Sequence, residues 1–266
     1  MRLCSIASGS SGNCIYVGSD ATHLLVDVGI SGKRTEQGLN TLGISAGELD
    51  GILITHEHAD HISGLGVLSR KYGIPIYATS GTVEEMKRCR SIGNVDEDLF
   101  HIIRADEKFV IKDLVVDPMR ISHDAAEPVA YRVRYGDKKV AVATDIGVYN
   151  DYVVECLKGM DALLLEANHD VNMLQVGPYP YHLKQRILSD RGHLSNENSG
   201  RLLSRVLHDN LQAILLGHLS HENNLPELAY EAVRMEITLG DNPYNATDFA
   251  MQVAKRNEPT PVVNIA

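Results

Sequence analysis

A cluster of imidazole and carboxylate side chains follows the short apolar run at residues 51–55. Three histidines and one aspartate fall within six residues there: His56, His58, Asp60 and His61. Neutral imidazole nitrogen and carboxylate oxygen together suit zinc, iron or manganese. A buried strand that ends in this H-x-H-x-D-H pattern therefore predicts a metal site.

The spacing within the cluster predicts its geometry. If the strand continues through it, side chains two residues apart point the same way, so His56, His58 and Asp60 face one side. His61 then begins a helix over residues 62–72. One ion could take His56 and His58, and a second could take Asp60 and His61. Each ion would still need ligands from distant parts of the chain.

Three further candidate ligands each follow a short run rich in Val, Ile and Leu. His123 comes after residues 114–121, Asp145 after 139–144 and His218 after 213–217. Loops that carry chemistry are often rooted at such strand ends. The distant ligands that the cluster requires are therefore present in the sequence.

This ordered set, T-H-E-H-A-D-H followed by His, Asp and His, resembles the metallo-β-lactamase superfamily of hydrolases. The resemblance implies an α/β fold, a four-layer αββα sandwich with a two-metal site at one rim. The implied ligands are His56, His58 and His123 for one ion, Asp60, His61 and His218 for the other, and Asp145 as the bridge. The implied cofactors are two divalent ions, zinc or manganese, with iron also compatible with these donors.

Four segments are similar to particular branches of the superfamily. Residues 166–170 (E-A-N-H-D) and 192–198 (G-H-L-S-N-E-N) are similar to segments of tRNA 3′-processing phosphodiesterases, where the histidine of the second segment contacts the scissile phosphate. Together with residues 7–14 (A-S-G-S-S-G-N-C) and 216–224 (L-G-H-L-S-H-E-N-N), they resemble the YycJ/WalJ-type branch. Members of that branch are small bacterial metallo-hydrolases regarded as 5′ to 3′ DNA exonucleases.

The resemblance implies a metal-dependent phosphodiesterase that cleaves DNA from a 5′ end with a hydroxide activated by two metals. Asp60 would also orient that nucleophile, and His193 would bind the phosphate or protonate the leaving group. The loop at residues 8–13 is either a plain hairpin loop or a nest of N–H groups for a terminal phosphate. The substrate-binding candidates in that loop are Ser8, Ser10, Ser11 and Asn13.

Two further pairs of residues have open roles. Glu166 and His169 are expected either to form a salt bridge or to support the metal ligands as a pair, because metal-bound histidines need carboxylates that orient them. Tyr179 and Tyr181 are expected to pack a loop, and stacking on a nucleobase is the alternative.

Three other functions remain possible for the same ligands. A thioester or other acyl hydrolase would keep the site but would not need His193 or the basic residues around it. A redox enzyme with one iron could dispense with Asp60 and His61. A non-catalytic regulator would have no reason to keep all seven ligands.

Composition narrows the class of protein. The 266 residues have no Pro-, Gly- or Ser-rich linker, so one domain over residues 1–266 is expected. A formal net charge of −10 argues against non-specific coating of nucleic acid. Residues 171–205 nevertheless carry five Lys and Arg against two Asp and Glu, a local charge of +3.

The chain begins without a signal peptide pattern and has no stretch of about 20 apolar residues, so a cytoplasmic protein without membrane association is expected. The four cysteines are widely spaced, which favours reduced thiols. No feature predicts the oligomeric state.

Hydrophobic periodicity predicts interleaved strands and helices. Strands are predicted at residues 2–7, 14–18, 23–28, 161–165, 211–216 and 248–253, with a strand-rich region over 99–144. Helices are predicted at residues 32–42, 62–72, 82–90, 149–157, 198–208 and 225–239. Two sheets faced by helices would accommodate this order.

Overall fold

Short runs rich in valine, isoleucine and leucine form the strands, since such side chains pack well on sheets that are buried on both faces. The computed structural model describes residues 1–266. The strands in chain order are β1 (Arg2–Ala7), β2 (Cys14–Gly18), β3 (His23–Val26), β4 (Gly51–Leu53), β5 (Ile76–Thr79), β6 (Phe100–Ile103), β7 (Phe109–Ile111), β8 (Leu114–Arg120), β9 (Val129–Tyr135), β10 (Lys138–Ala143), β11 (Ala162–Glu166), β12 (Ala213–Gly217), β13 (Ala250–Val253) and β14 (Val263–Asn264).

Most helices lie where the periodicity predicts them. In chain order they are α1 (Gly32–Thr41), α2 (Ala59–Ile62), α3 (Leu65–Tyr72), α4 (Ser80–Arg88), α5 (Asp151–Leu157), α6 (Val171–Val176), α7 (Tyr181–Ile187), α8 (Asn196–Ser204) and α9 (Pro226–Leu239). The boundaries of α1 show the local rule: the Ser31 side chain accepts from the backbone N–H of Arg34 at the start, and Gly43 follows the end with φ of 73°.

The chain divides into two units. The first comprises residues 1–120, 125–138 and 255–266, and the second comprises residues 121–124 and 139–254. The expectation of one domain over residues 1–266 is not tested by this division and stays a prediction.

The first unit contains a seven-stranded sheet in the order β14-β1-β2-β3-β4-β5-β6. Its strands are antiparallel from β14 to β3 and parallel from β3 to β6. Parallel strands end at a common edge, so the residues that follow β3 and β4 meet there. Strands β7, β8 and β9 of the same unit form an antiparallel meander.

The second unit is built on a parallel sheet. Strands β10, β11, β12 and β13 pair in that order, all in the same direction. Their carboxyl ends therefore share one edge. Asp145 follows β10, Glu166 is the last residue of β11 and His218 follows β12, so three chemically active side chains are brought to that edge.

The H-x-H-x-D-H cluster does not continue a strand, so the prediction of alternating side chains there was wrong. Strand β4 ends at Leu53, an irregular loop with a bend at Thr55 follows it, and helix α2 contains Asp60 and His61. The predicted helix over 62–72 is also broken near Gly64. That glycine donates its N–H to Val28 at 2.8 Å, and a Cβ on it would lie 2.0 Å from the Ile30 carbonyl oxygen.

Two short helices, α6 and α7, lie in the second unit where no helix was predicted from the sequence. Tyr181 begins α7 and its side chain is 76% exposed. The prediction that Tyr181 packs a loop was therefore wrong. The next helix, α8, begins at Asn196 because the Ser195 side chain caps it, accepting from the N–H of Asn198.

None of the helices combines the length and apolar character that a membrane span requires. The cysteines are all free, and Cys4, Cys14 and Cys156 are buried. The expectation of unpaired thiols is confirmed.

Tyr131→Phe should lower the free energy of unfolding by about 1 to 3 kcal/mol, because it leaves a buried carbonyl without its donor. The Tyr131 hydroxyl is fully buried on β9 and donates to the Ile54 carbonyl at 2.8 Å, just before the histidine cluster. Chemical denaturation would measure the change. Tyr135→Phe is the matched control, since Tyr135 lies on the same strand and is 40% exposed. Equal stability of both variants would contradict the prediction.

Candidate metal centre

Asp27 is a buried carboxylate at the end of β3 that organises the first unit's histidine cluster. It accepts the backbone N–H of Thr55 at 2.9 Å and the Thr55 hydroxyl at 2.8 Å. It also lies 2.7 Å from Nδ1 of His61. Sequence reasoning missed Asp27, and its only signal was a lone aspartate directly after an apolar strand.

The contact with Asp27 decides which nitrogen of His61 can bind a metal. An anionic carboxylate accepts only, so Nδ1 carries the proton and Nε2 keeps its lone pair. That Nε2 lies 3.5 Å from Oδ2 of Asp60 and 3.3 Å from the amide nitrogen of Asn13. The arrangement of a histidine oriented by a carboxylate is typical of metal ligands.

His56 and His58 lie against the same group. The His56 ring centroid is 4.1 Å from that of His61 and 4.5 Å from that of His58. Nδ1 of His56 is 3.0 Å from the Thr55 hydroxyl. The four residues of the motif are thus brought together by an irregular loop and the start of α2.

Asp145 and His218 face each other at the carboxyl edge of the second unit's sheet. Nε2 of His218 is 3.2 Å from Oδ1 of Asp145. Both residues have left-handed backbone conformations, with φ of 60° for Asp145 and 54° for His218, and Asp27 shares this feature with φ of 62°. Such conformations are uncommon outside glycine and often mark functional positions.

His123 completes the second unit's share of the predicted ligands. Its Nδ1 donates to the Gly192 carbonyl at 3.0 Å, and its Nε2 lies 3.6 Å from Oδ1 of Asp145. His123 therefore resembles His61: Nδ1 donates to an oxygen acceptor, and Nε2 faces a carboxylate, here that of Asp145.

Glu166 bonds to His193, so the salt bridge predicted as one alternative for Glu166 and His169 was wrong. Nδ1 of His193 lies 2.7 Å from Oε1 of Glu166. The other carboxylate oxygen accepts the backbone N–H groups of Ile146 at 2.8 Å and Leu194 at 3.1 Å. The carboxylate is buried and firmly held, and it keeps the proton of His193 on Nδ1.

His169 has a different environment. It is buried, its backbone bridges to Ser195, and its Nδ1 lies 3.3 Å from the Asn168 side-chain oxygen. Burial lowers the pKa of His169 to about 4, so it is neutral at physiological pH. These contacts indicate a structural role for His169, as a neutral side chain packed in the interior whose backbone bonds to the Ser195 loop.

The loops that carry His193 and His218 are near copies of each other. Residues 192–198 read G-H-L-S-N-E-N and residues 217–223 read G-H-L-S-H-E-N. In each loop the serine hydroxyl accepts the N–H three residues later, at 3.2 Å for both Ser195 and Ser220. The two histidine rings stack with centroids 5.4 Å apart. This repeat was visible in the sequence and was overlooked.

A pair of buried asparagines joins the two loops. The side-chain amides of Asn196 and Asn224 bond to each other in both directions, at 3.0 and 2.8 Å. Asn224 also donates to the carbonyl of Asn168 at 3.0 Å, and Asn168 in turn donates to the His218 carbonyl at 3.0 Å. This network holds both histidine loops to the end of β11.

The loop at residues 8–13 has two buried and two exposed candidates. Ser8 and Asn13 are buried, and the Asn13 side-chain oxygen accepts from the Ser8 hydroxyl and the Gly9 N–H. The Asn13 amide nitrogen lies 3.3 Å from the Asp60 carbonyl. Ser10 and Ser11 are exposed. A substrate-binding role for these residues stays a prediction.

Residues 171–205 carry a net charge of +3 in the sequence, but three of their arginines form ion pairs in the structure. Arg186 pairs with Asp124, Arg201 with Glu236 and Arg205 with Asp151. The Lys184 ammonium donates to two carbonyls, and Arg191 donates to the His123 carbonyl at 3.1 Å. Arg186 and Arg191 therefore both contact the short segment that carries His123.

The donor chemistry fits divalent metal ions. In the second unit Asp145, Glu166, His193 and His218 each offer a ligand atom, and these atoms lie within 4.8 Å of one another. In the first unit His61 presents Nε2 beside Asp60 and the His56 ring. Imidazole nitrogen with carboxylate oxygen suits zinc, manganese and iron alike.

Comparison with known proteins identifies the family. The model of the β-lactamase superfamily domain matches residues 22–216. The chain is 44% identical over 228 residues to the exodeoxyribonuclease YycJ of Bacillus anthracis, covering 86% of each protein. It is 40% identical over 260 residues to the exodeoxyribonuclease WalJ of Streptococcus pneumoniae, covering 98% of this chain and 96% of that protein.

The solved structures agree on the fold. Zinc-bound PqqB from Methylobacterium extorquens superimposes with a TM-score of 0.72 at 18% identity, over 98% of this chain and 99% of that one. The predicted αββα architecture, two sheets flanked by helices, is confirmed. The chain belongs to the metallo-β-lactamase superfamily and, within it, to the family of YycJ and WalJ, and it is a hydrolase of that fold with a divalent-metal-binding cluster of histidines and aspartates.

Proposed function

We propose that this protein is a metal-dependent phosphodiesterase that degrades DNA from the 5′ end. The observation that carries the proposal is the Glu166–His193 pair beside Asp145 and His218. Hydrolysis of a phosphodiester benefits from such a proton donor for the leaving oxygen, whereas thioester hydrolysis does not need one. The relatives named exodeoxyribonucleases, at 40 and 44% identity, support DNA as the substrate.

The proposed centre holds two divalent ions, zinc or manganese, with iron also allowed by the donors. His56, His58 and His123 would hold one, Asp60, His61 and His218 the other, and Asp145 would bridge them. Bound ions of this kind lower the pKa of water towards neutrality and neutralise charge on a phosphate. The hydrogen bonds of His61 and His123 support this assignment, because each leaves Nε2 as the nitrogen available for a metal.

Protein side chains would perform the proton and positioning steps. The Asp60 carboxylate, at the start of α2, accepts a hydrogen bond from the attacking water and orients it. His193 has Nδ1 bonded to Glu166, so its Nε2 is the atom that exchanges a proton with the departing oxygen. Glu166 stabilises the imidazolium form of His193 and acts as a positioning residue.

The 5′ end would be bound by the loop at residues 8–13. Arg256 donates from Nη1 to the Ser11 hydroxyl at 3.2 Å. Arg34 reaches the same region and donates to the Arg256 carbonyl and to Asn257, both neutral acceptors. Arg34 and Arg256 thus place two guanidinium groups in the region of Ser11, which suits a terminal phosphate. A surface pocket lined partly by Arg34 and Gln37 lies beside them.

The first prediction concerns metal content. Elemental analysis of fully loaded protein should approach two ions per chain, and Asp145→Ala should lose most of both, since the proposed bridge is removed. Asp106→Ala is the matched control, because Asp106 also has a left-handed φ, 66°, and lies outside the proposed ligand set. A protein that holds one ion with full activity would overturn the two-ion assignment.

A second prediction concerns the strand end. End-labelled DNA with a 5′-phosphate should be degraded faster than DNA with a 5′-hydroxyl, with products released from the 5′ end first. Arg256→Ala should reduce the preference for phosphate, because it removes a charged donor beside Ser11. Arg234→Ala, an exposed arginine on α9 paired with Glu231, should leave the preference unchanged. Equal rates on both ends in the unmodified protein would count against the proposal.

The third prediction tests His193. His193→Ala should keep its metals and its fold while turnover falls by roughly 10² to 10³, the usual loss for one donor that acts in the transition state. Glu166→Gln should lower turnover with less effect on KM, because the carboxylate acts through His193. His101→Ala, an exposed histidine on β6, is the control. Near-normal turnover of His193→Ala would refute its catalytic role, and loss of metal would reassign it as a ligand.

A further inference from the structure

The segment from Val171 to Arg191, here called the α6–α7 segment, exposes large apolar side chains. Val176 is 87% exposed, Tyr181 76% and Leu188 41%. The second unit has other exposed large apolar side chains, most of them on or beside α9, but those of the α6–α7 segment lie next in the chain to Gly192 and His193. Single exposed apolar side chains are normal on a protein surface. Three of them within thirteen residues, close to a candidate active site, indicate a possible binding surface.

Tyr181 and Leu188 lie on one face of the segment. They are seven residues apart, which returns to nearly the same direction after two helical turns. At a rise of about 1.5 Å per residue they are about 10 Å apart along the helix axis. Stacked nucleotides in one strand are about 3.4 Å apart, so this distance matches about three of them.

The segment is held rigid by Lys184. Its ammonium donates to the carbonyls of Gln175 and Gly177, each at 2.7 Å. These bonds tie α7 to the end of α6 and fix the turn between them. An exposed aromatic ring on such a preorganised support loses little freedom when a ligand binds.

One end of the segment contacts residues already placed near the reaction. Arg186 bonds to Asp124, and Arg191 donates to the carbonyl of His123 at 3.1 Å. The next two residues are Gly192 and His193. A ligand that lies along α7 towards its carboxyl end therefore approaches the proposed site for the scissile phosphate.

The charge of the segment favours an anionic ligand. Residues 171–191 contain three Lys and Arg and one Asp, and the ion pair of Arg186 with Asp124 lowers the local charge from +2 to +1, still positive in a chain of net charge −10. Aromatic rings combined with cations are the usual composition of surfaces that bind single-stranded nucleic acid, where bases stack and phosphates meet positive charge.

We propose that the α6–α7 segment is a stacking platform for the bases of the DNA strand, with Tyr181 as its aromatic support. This inference rests on the proposed nuclease function and adds how the strand is held near the site. Tyr181 stacks on one base, Leu188 contacts a base about three nucleotides nearer to His193, and Arg191, which lies between Leu188 and His193 in the chain, neutralises a phosphate at that end.

The test measures binding and turnover in the metal-loaded, full-length protein. A fluorescent single strand of about twelve nucleotides with phosphorothioate linkages reports binding by anisotropy without being degraded. Tyr181→Ala should raise its Kd by about tenfold, within the range for loss of one base stack. Tyr181→Phe should stay within about twofold of the unmodified protein, since the ring alone stacks. Tyr135→Ala, an exposed tyrosine of the first unit, is the matched control and should have no effect.

A small phosphodiester substrate distinguishes a role of Tyr181 in DNA binding from a role in the reaction itself. Bis(p-nitrophenyl) phosphate is too small to span from the site to Tyr181, so its hydrolysis by Tyr181→Ala should equal that of the unmodified protein. On DNA, the same variant should raise KM and leave kcat nearly unchanged.

Two outcomes would overturn different claims. If the unmodified protein binds and degrades DNA and Tyr181→Ala binds it equally well, the platform is wrong and the nuclease function stands. If the unmodified protein neither binds nor degrades DNA, the proposed function itself is wrong. A loss of bis(p-nitrophenyl) phosphate hydrolysis in Tyr181→Ala would assign Tyr181 to the reaction site and also overturn the platform.

Discussion

The arrangement of this protein's histidines depends on one constraint: an imidazole can offer a lone pair from one nitrogen only if the proton is held on the other. Buried carboxylates satisfy this constraint in both units. Asp27 holds the proton of His61 at 2.7 Å, and Glu166 holds that of His193 at 2.7 Å. Both carboxylates are in turn bonded to backbone N–H groups, at Thr55 for Asp27 and at Ile146 and Leu194 for Glu166. These contacts hold each carboxylate in place, and so keep each ring in one tautomer.

The ends of parallel strands carry the chemistry, and the backbone is strained there. Asp27, Asp145 and His218 each follow such a strand with a positive φ. For residues other than glycine this conformation costs about 1 to 3 kcal/mol, and it persists only where surrounding contacts hold it. The contacts are visible: the side chain of Asp27 accepts from Thr55 and His61, and the His218 carbonyl accepts from Asn168. Part of the folding free energy of each sheet therefore offsets the backbone strain of the residues that follow its parallel strands.

The loops at residues 192–198 and 217–223 use the same local structure to place a histidine at the site. Each must turn the chain sharply after placing a histidine, and each uses a serine hydroxyl as a local acceptor to do so. The mutual amide bonds between Asn196 and Asn224 then make the two loops a single body. Because the pair is buried and reciprocally satisfied, breaking either partner would leave polar groups without donors or acceptors, which favours one relative position of the loops.

The sequence by itself determined the types and order of the candidate ligands, the strands that precede them and the superfamily, because apolar runs followed by His or Asp are local patterns. It did not determine how the H-x-H-x-D-H cluster folds, since only the tertiary structure brings a backbone close enough to Gly64 to break the helix. Nor did it determine which carboxylate serves which histidine. Asp27 and His61 are 34 residues apart, and Glu166 and His193 are 27 apart. Which carboxylate contacts which histidine depends on how the fold places strand ends and loops in space, and the spacing of these residues along the chain does not determine that.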